Sequence, residues 1–169
     1  MASKKENSDK VLIDAQNLTK WYGDVCAVDN VSFKVKRGEV VGFLGPNGAG
    51  KTTTMKMITC FIAPTSGRVE VSGHDTLEDS MAVRRSIGYL PEETPLYKGM
   101  SVLEFLRFAA EIREIPKDEV SKKTEEIVKV CGLKKVLGRP IGHLSKGYRQ
   151  RVGLAQAMLH DPDIVILDE

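Results

Sequence analysis

The stretch Gly45-Pro46-Asn47-Gly48-Ala49-Gly50-Lys51-Thr52-Thr53 constrains this chain more than any other. It satisfies G-x-x-x-x-G-K-[ST] at every fixed position. The apolar run Val40-Val41-Gly42-Phe43-Leu44 before it reads as a buried strand, and Thr53 to Ile58 after it reads as a helix. A glycine-rich loop between a strand and a helix can turn its backbone N–H groups inward around a phosphate. Gly45, Gly48 and Gly50 permit the positive φ and close approach that such a nest needs. The helix N-terminus adds free N–H groups and partial positive charge. In that arrangement Lys51 reaches the β- and γ-phosphates of a nucleotide, and the Thr52 hydroxyl ligates Mg²⁺. The plainer alternative, a glycine-rich turn with a chance lysine, leaves both flanking elements unexplained.

The 169 residues suit one domain, or a compact core with an insertion. The formal net charge of +2 gives no global pull toward nucleic acid or anionic lipid, and no nucleic-acid partner is expected. Cys26, Cys60 and Cys131 are scattered without a C-x-x-C pair, which suits free thiols in the cytoplasm. Residues 1–10 are polar and of mixed charge, and read as a disordered tail rather than a signal peptide. No run approaches the ~18 apolar residues of a membrane-spanning helix, so any membrane role must come through a partner.

Val11–Gln16, Val25–Val28 and Val31–Val35 read as strands, the last with Val31, Phe33 and Val35 on one side. A turn at Pro64–Gly67 leads into a short strand at Arg68–Val71. The early region is therefore β-rich and antiparallel around the phosphate loop. Met81–Ser86 reads as the end of a helix, and Ile87–Leu90 as a strand. From Pro95 the pattern turns helical. Ser101 and Glu104 form a capping box, with Leu103, Phe105, Leu106 and Ala110 on the buried side. Pro116 opens a second helix that Gly132 closes, and Leu133–Leu137 suggests a short third. These features divide the chain into an ATP-binding core with a β-subdomain, residues 11–94 and 140–169, and a helical subdomain, residues 95–139. The fold expected is α/β, a P-loop ATPase core with an antiparallel β-subdomain and an inserted helical subdomain. Ser145 caps a further helix that ends near His160 and is stopped by Asp161-Pro162.

The chain closes on Ile164-Val165-Ile166-Leu167-Asp168-Glu169. A fully buried parallel strand carries its terminal carboxylates to the edge where ligands bind in open α/β sheets. There Asp168 can hold Mg²⁺ and Glu169 can polarise the attacking water.

Between loop and acidic strand lies Leu144-Ser145-Lys146-Gly147-Tyr148-Arg149-Gln150-Arg151. With this segment in that order, the sequence from about Val11 to Glu169 resembles the ATP-binding subunits of ABC transporters. The family signature is Leu-Ser-Gly-Gly-Gln followed by basic residues. This chain keeps the leucine, the serine and the second glycine, and carries Lys146 and Tyr148 in place of the first glycine and the glutamine. The resemblance implies an ATPase whose subunits pair head to tail, with Ser145 and Gly147 closing on the ATP held by the partner's phosphate loop. It also implies a transmembrane permease as partner, and a location in the cytoplasm on the inner face of the cell membrane. Tyr22 matches the aromatic that stacks on adenine. Glu92 falls where the family has a glutamine that touches Mg²⁺. The combination of Lys146, Tyr148 and Glu92 resembles the export and gliding-motility subgroup. The family continues beyond the acidic strand with an Asp-containing loop, a further strand and a γ-phosphate histidine. The resemblance therefore implies a sequence truncated after Glu169, poorly active alone while its full-length parent hydrolyses ATP. Two alternatives stay open: a soluble ABC ATPase of translation or repair, and a non-catalytic ATP-binding fragment.

Overall fold

The computed structural model describes residues 9–168. The expectations for Glu169, and for the first eight residues of the tail, lie outside the described residues. The chain divides between Ser86 and Ile87 into two compact units.

The first unit contains β1 (Val11–Tyr22), β2 (Val25–Lys36), α1 (Lys51–Ile58), β3 (Ser66–Val71), β4 (His74–Asp75) and α2 (Ser80–Ser86). Its four strands form one antiparallel sheet in the order β2-β1-β3-β4. Leu12, Ala15 and Leu18 of β1 and Val69 and Val71 of β3 are buried. So are Met57 and Ile58 from the last turn of α1. Fully burying an aliphatic side chain of this size stabilises by roughly 1.5–3 kcal/mol.

Two strands expected at 25–28 and 31–35 are one strand, and β1 runs on to Tyr22 instead of ending at Gln16. The polar residues between the apolar runs imitate a turn. Asn17 and Asn30 both adopt left-handed backbone, with φ of 51° and 48°. The Asn17 side-chain amide donates to Asn30 Oδ1 at 2.8 Å, and its backbone N–H donates to Ser32 Oγ at 2.8 Å. Asparagine tolerates this conformation, so the register shift is absorbed as a bulge rather than a break.

The apolar run 40–44 is not a strand. Val40 and Leu44 are almost fully exposed, at 101% and 96%. Only Phe43 is half-buried, its ring edge-on to Phe33 at 5.1 Å between centroids. The reason is hydrogen bonding: no strand among the described residues pairs with this segment, and apolar composition alone does not supply a ladder.

The second unit contains β5 (Ile87–Leu90), α3 (Val102–Ile112), α4 (Lys117–Val130), α5 (Lys146–Met158) and β6 (Ile164–Leu167). β5 and β6 are parallel, with Ile87 opposite Ile164 and Leu90 opposite Leu167. The expected full burial of β6 does not hold. Ile166 is buried, whereas Val165 and Leu167 are exposed at 42% and 51%. Alternate residues of a strand point to opposite faces, so Val165 and Leu167 share an uncovered face while Ile166 points to the covered one.

The capping box forms as read. Glu104 N donates to Ser101 Oγ, and Ser101 N donates to Glu104 Oε2 at 2.8 Å, which starts α3. Pro116 is the N-cap of α4, where its missing N–H leaves nothing unsatisfied. Gly132, at φ +65°, follows the end of α4. The third helix is only a 3-10 turn, Lys134–Val136. Phe105, Leu106, Ile127, Val128, Leu133 and Val152 lead the apolar core that joins α3, α4 and α5.

Two glycines set the spacing beneath α5. A Cβ on Gly88 of β5 would lie 2.1 Å from the Ala157 carbonyl oxygen. One on Gly153 of α5 would lie 2.5 Å from Thr94 Cγ2 and 2.7 Å from Leu90 Cδ1. Strand and helix therefore meet backbone to backbone at Gly88 and Ala157, while Gly153 makes room for the side chains of Leu90 and Thr94.

Candidate functional site

In the first unit, the loop from Gly45 to Gly50 delivers the chain into α1. Gly48 and Gly50 take φ of +84° and +82°, as a phosphate nest requires. Gly45 is not left-handed; its part is close approach, since a Cβ there would stand 3.1 Å from Ala49 Cβ. Gly50 is constrained twice, because a Cβ would also meet the Ala27 carbonyl oxygen at 2.3 Å. Ala49 N donates to the Pro46 carbonyl at 3.2 Å, which closes the turn over Asn47. No side chain caps α1, so its N-terminal partial charge stays available to an anion. Lys51 Nζ donates to the carbonyls of Gly45 and Pro46 at 2.7 and 2.8 Å. The ammonium is thus pinned across the loop it follows, with a third proton to give. Thr52 and Thr53 occupy the first turn of α1.

Tyr22 ends β1 opposite Val25, two residues from Ala27, against which Gly50 packs. Its ring is 49% exposed, and Lys20 Nζ lies 5.4 Å from the ring centroid. Such a ring offers a flat π surface with a cation already beside it.

In the second unit, Asp168 follows β6 and is buried, with 7% exposed. Its N–H donates to the Leu90 carbonyl at 2.9 Å, which carries the parallel ladder one residue past the strand. Tyr89 Oη donates to Asp168 Oδ2 at 3.2 Å. Burial, and then the charge of Asp168, push the Tyr89 phenol up to about 12, so it remains a donor throughout the physiological range. Tyr89 was missed in the sequence; its only signal was an aromatic hydroxyl on the strand paired with the acidic one.

Glu92 lies exposed two residues beyond Leu90, at the same C-terminal edge of the parallel pair as Asp168. Gly153 of α5 rests on Leu90 and Thr94, so the helix that Ser145 caps touches both ends of the loop holding Glu92. Ser145 Oγ accepts from Tyr148 N at 3.4 Å. Ser145, Lys146 and Gly147 are exposed, and a Cβ on Gly147 would meet nothing within 4 Å. Tyr148 instead packs against the helical core, with the Arg151 guanidinium 5.7 Å from its ring centroid. That packing accounts for an aromatic where the family signature has a glutamine. Arg149 Nη1 donates to the Leu144 carbonyl and braces the turn into α5. No cluster of three or more acidic, His or Cys side chains among the described residues could hold a metal unaided. No helix among them is long and apolar enough to cross a membrane.

The sequence profile of a family described as ABC transporter matches residues 28–169. Over 160 residues the chain is 40% identical to YbhF of Escherichia coli (strain K12), a probable multidrug ABC transporter ATP-binding protein, covering 95% of this chain and 28% of that one. Over 158 residues it is 42% identical to YxlF, an ABC transporter ATP-binding protein of Bacillus subtilis (strain 168), covering 94% of this chain and 52% of that one. A solved structure of an ATP binding subunit of an ABC transporter matches with a TM-score of 0.85 at 32% identity, over 94% of this chain and 66% of that one. The chain spans about half or less of the length of these two curated relatives.

Proposed function

The chain belongs to the ABC transporter family, and from that premise we propose that it binds ATP and, in the whole protein, hydrolyses it to energise a membrane transporter of the export type. The observation that carries this reading is the loop and helix around Lys51. Two left-handed glycines, an uncapped helix N-terminus and an ammonium fixed on the loop carbonyls are together built for a polyphosphate. The loop from Gly45 to Thr53, through the backbone N–H groups it carries outside Pro46, and the Lys51 ammonium take the phosphates, and Tyr22 takes the adenine.

The available oxygen donors fit Mg²⁺, which favours carboxylate, hydroxyl and phosphate oxygens over nitrogen or sulfur. Thr52, the buried Asp168 and, at the same strand edge, Glu92 would supply them; bound Mg²⁺ neutralises phosphate charge. Tyr89 holds the Asp168 carboxylate in one orientation. Glu169 is proposed as the base that orients and deprotonates water. Ser145 and Gly147 are proposed to serve an ATP bound by a second subunit in a head-to-tail dimer. Residues 95–139 are proposed as the helical subdomain that links nucleotide to a transmembrane permease, which holds the protein at the inner face of the membrane. YbhF's description as a multidrug protein supports the export reading.

The test is a pair of substitutions in the whole protein. Lys51→Ala should remove most ATP affinity, because charge-assisted contacts are the strong ones. Glu169→Gln should leave binding near wild type and slow hydrolysis at least ~100-fold. Unchanged ATP affinity in Lys51→Ala takes the loop out of the site. Near-normal turnover in Glu169→Gln takes away the base.

A further inference from the structure

The end of β1 is tied to the segment that follows α1 by backbone and side chain alike. Thr65 N donates to the Thr19 carbonyl at 2.8 Å, and Trp21 N donates to Thr65 Oγ1 at 3.0 Å. Between them, Lys20 Nζ donates to the Ala63 carbonyl at 2.7 Å. The same hairpin also meets the start of α1, where a Cβ on Gly50 would stand 2.3 Å from the Ala27 carbonyl oxygen and 3.0 Å from Val28 Cγ2. The hairpin therefore holds α1 at its N-terminus through β2 and just past its C-terminus through β1. Tyr22 and the phosphate nest are thereby mounted on one frame.

Lys20 is the tie with a second contact. Its ammonium lies over the Tyr22 ring, 5.4 Å from the centroid. Two residues apart on one strand, the two side chains are neighbours in any case. A free ammonium, however, is strongly hydrated and swings on a flexible four-carbon stem. Here a carbonyl 43 residues along the chain fixes it, and fixes it beside the ring. The ring itself ends the strand and is 49% exposed, so its own packing restrains it little. Immobilising such a side chain only when a ligand arrives opposes affinity, and a contact that orders it beforehand removes that cost.

We propose that Lys20 is a positioning residue for nucleotide binding. Anchored on the Ala63 carbonyl, its ammonium holds the Tyr22 ring from one face and leaves the other face to the nucleobase. This rests on the reading of Tyr22 as the adenine platform, and adds to it the group that sets the platform in place. Lys20 makes no contact with phosphate in this arrangement, because its charge is directed to the carbonyl and the ring.

The test is a calorimetric titration of the whole protein with ADP, which is not turned over, and in parallel with pyrophosphate, which has the phosphates and no base. Tyr22→Ala should weaken ADP about 10-fold, within the range of a lost base–aromatic stack. Lys20→Met keeps the stem and removes the charge, and should weaken ADP about 3-fold, the scale of an exposed cation–π contact. Lys20→Arg can still donate to the carbonyl and lie on the ring, and should bind ADP as wild type does. Introduced into Tyr22→Ala, Lys20→Met should add nothing, since the ring through which it acts is gone. Pyrophosphate should bind all of these variants as it binds wild type, which also shows that the nest is folded. The proposal is overturned if Tyr22→Ala weakens ADP while Lys20→Met does not. It is equally overturned if Lys20→Met costs as much without the Tyr22 ring as with it, or if it weakens pyrophosphate, because Lys20 then props the loop or meets phosphate directly. If Tyr22→Ala binds ADP as wild type does, the adenine reading itself falls, and the role of Lys20 falls with it.

Discussion

Alanine at Gly88 tests the contact on which the acidic strand depends. The added Cβ would stand 2.1 Å from the Ala157 carbonyl oxygen, 2.9 Å from Pro162 Cγ and 3.0 Å from the Ala157 carbonyl carbon. Ordinary contact begins at about 3.4 Å, so β5 and α5 must part by on the order of 1 Å. The nearest obstacle is backbone, which cannot rotate away as a side chain can. Overpacking a well-filled interior costs about 1–3 kcal/mol, and a backbone obstacle puts this case at the upper end, about 3 kcal/mol. For a chain of this length that is a fall of roughly 6–12 °C in melting temperature. Gly99→Ala is the matched control, because its Cβ meets nothing within 4 Å. Thermal melts followed by circular dichroism, with urea titrations beside them, read both variants. The same strain bears on β6 through its register with β5, so Mg²⁺-dependent ATPase activity in the whole protein should fall together with stability. If Gly88→Ala melts within about 2 °C of Gly99→Ala, α5 does not rest on β5 as described, and the account of how Asp168 is held collapses with it.

Three further outcomes are expected. Tyr89→Phe should raise the Mg²⁺ concentration needed for ATPase activity by roughly 10-fold, the low end for a residue that orients a metal ligand; an Mg²⁺ titration that matches wild type removes Tyr89 as a positioning residue. His160 is held down at about 4 by burial and then by Arg113, its Nε2 3.2 Å from the Ile87 carbonyl. Between pH 6.5 and 4 the unfolded chain therefore binds a proton that the folded chain refuses. Stability present above pH 6.5 should fall by about 1–2 kcal/mol toward pH 4, allowing for solvent screening of a partly exposed ring; urea titrations between pH 6.5 and 5 should show that slope in wild type and lose it in His160→Gln. Ser145→Ala should cost about 0.5–1 kcal/mol as a lost cap, whereas Ser145→Asp keeps the cap and sets a charge against phosphate. Ser145→Asp should thus melt like wild type yet form no ATP-dependent dimer by size exclusion, and normal dimerisation would leave Ser145 a cap alone.

Elements that carry their own local chemistry were legible in the sequence. The capping box at Ser101 and Glu104, the stop at Asp161-Pro162 and the nest glycines each act over four residues or fewer, and each stands where it was read. What failed depended on a distant partner. Residues 25–35 looked like two strands because nothing local announces that Asn17 will take the same left-handed conformation as Asn30 across the hairpin. Residues 40–44 looked buried because the hydrophobic pattern says nothing of whether a neighbouring strand is at hand. Tyr89 and Gly153 gain their roles only from β5–β6 pairing and from the seating of α5, both set by contacts tens of residues apart.

The open run Val40-Val41-Gly42-Phe43-Leu44 also bears on how molecules of this chain meet one another. It is uncharged, rich in β-forming residues and free of proline, the composition that stacks into intermolecular sheets. Its gatekeepers are sparse. Pro46 guards the downstream side, and upstream Glu39 spends its carboxylate on the Lys36 N–H at 2.8 Å. At high concentration these five residues just ahead of the phosphate loop therefore offer neighbouring molecules a surface to pair with, while the +2 net charge contributes little repulsion to hold molecules apart.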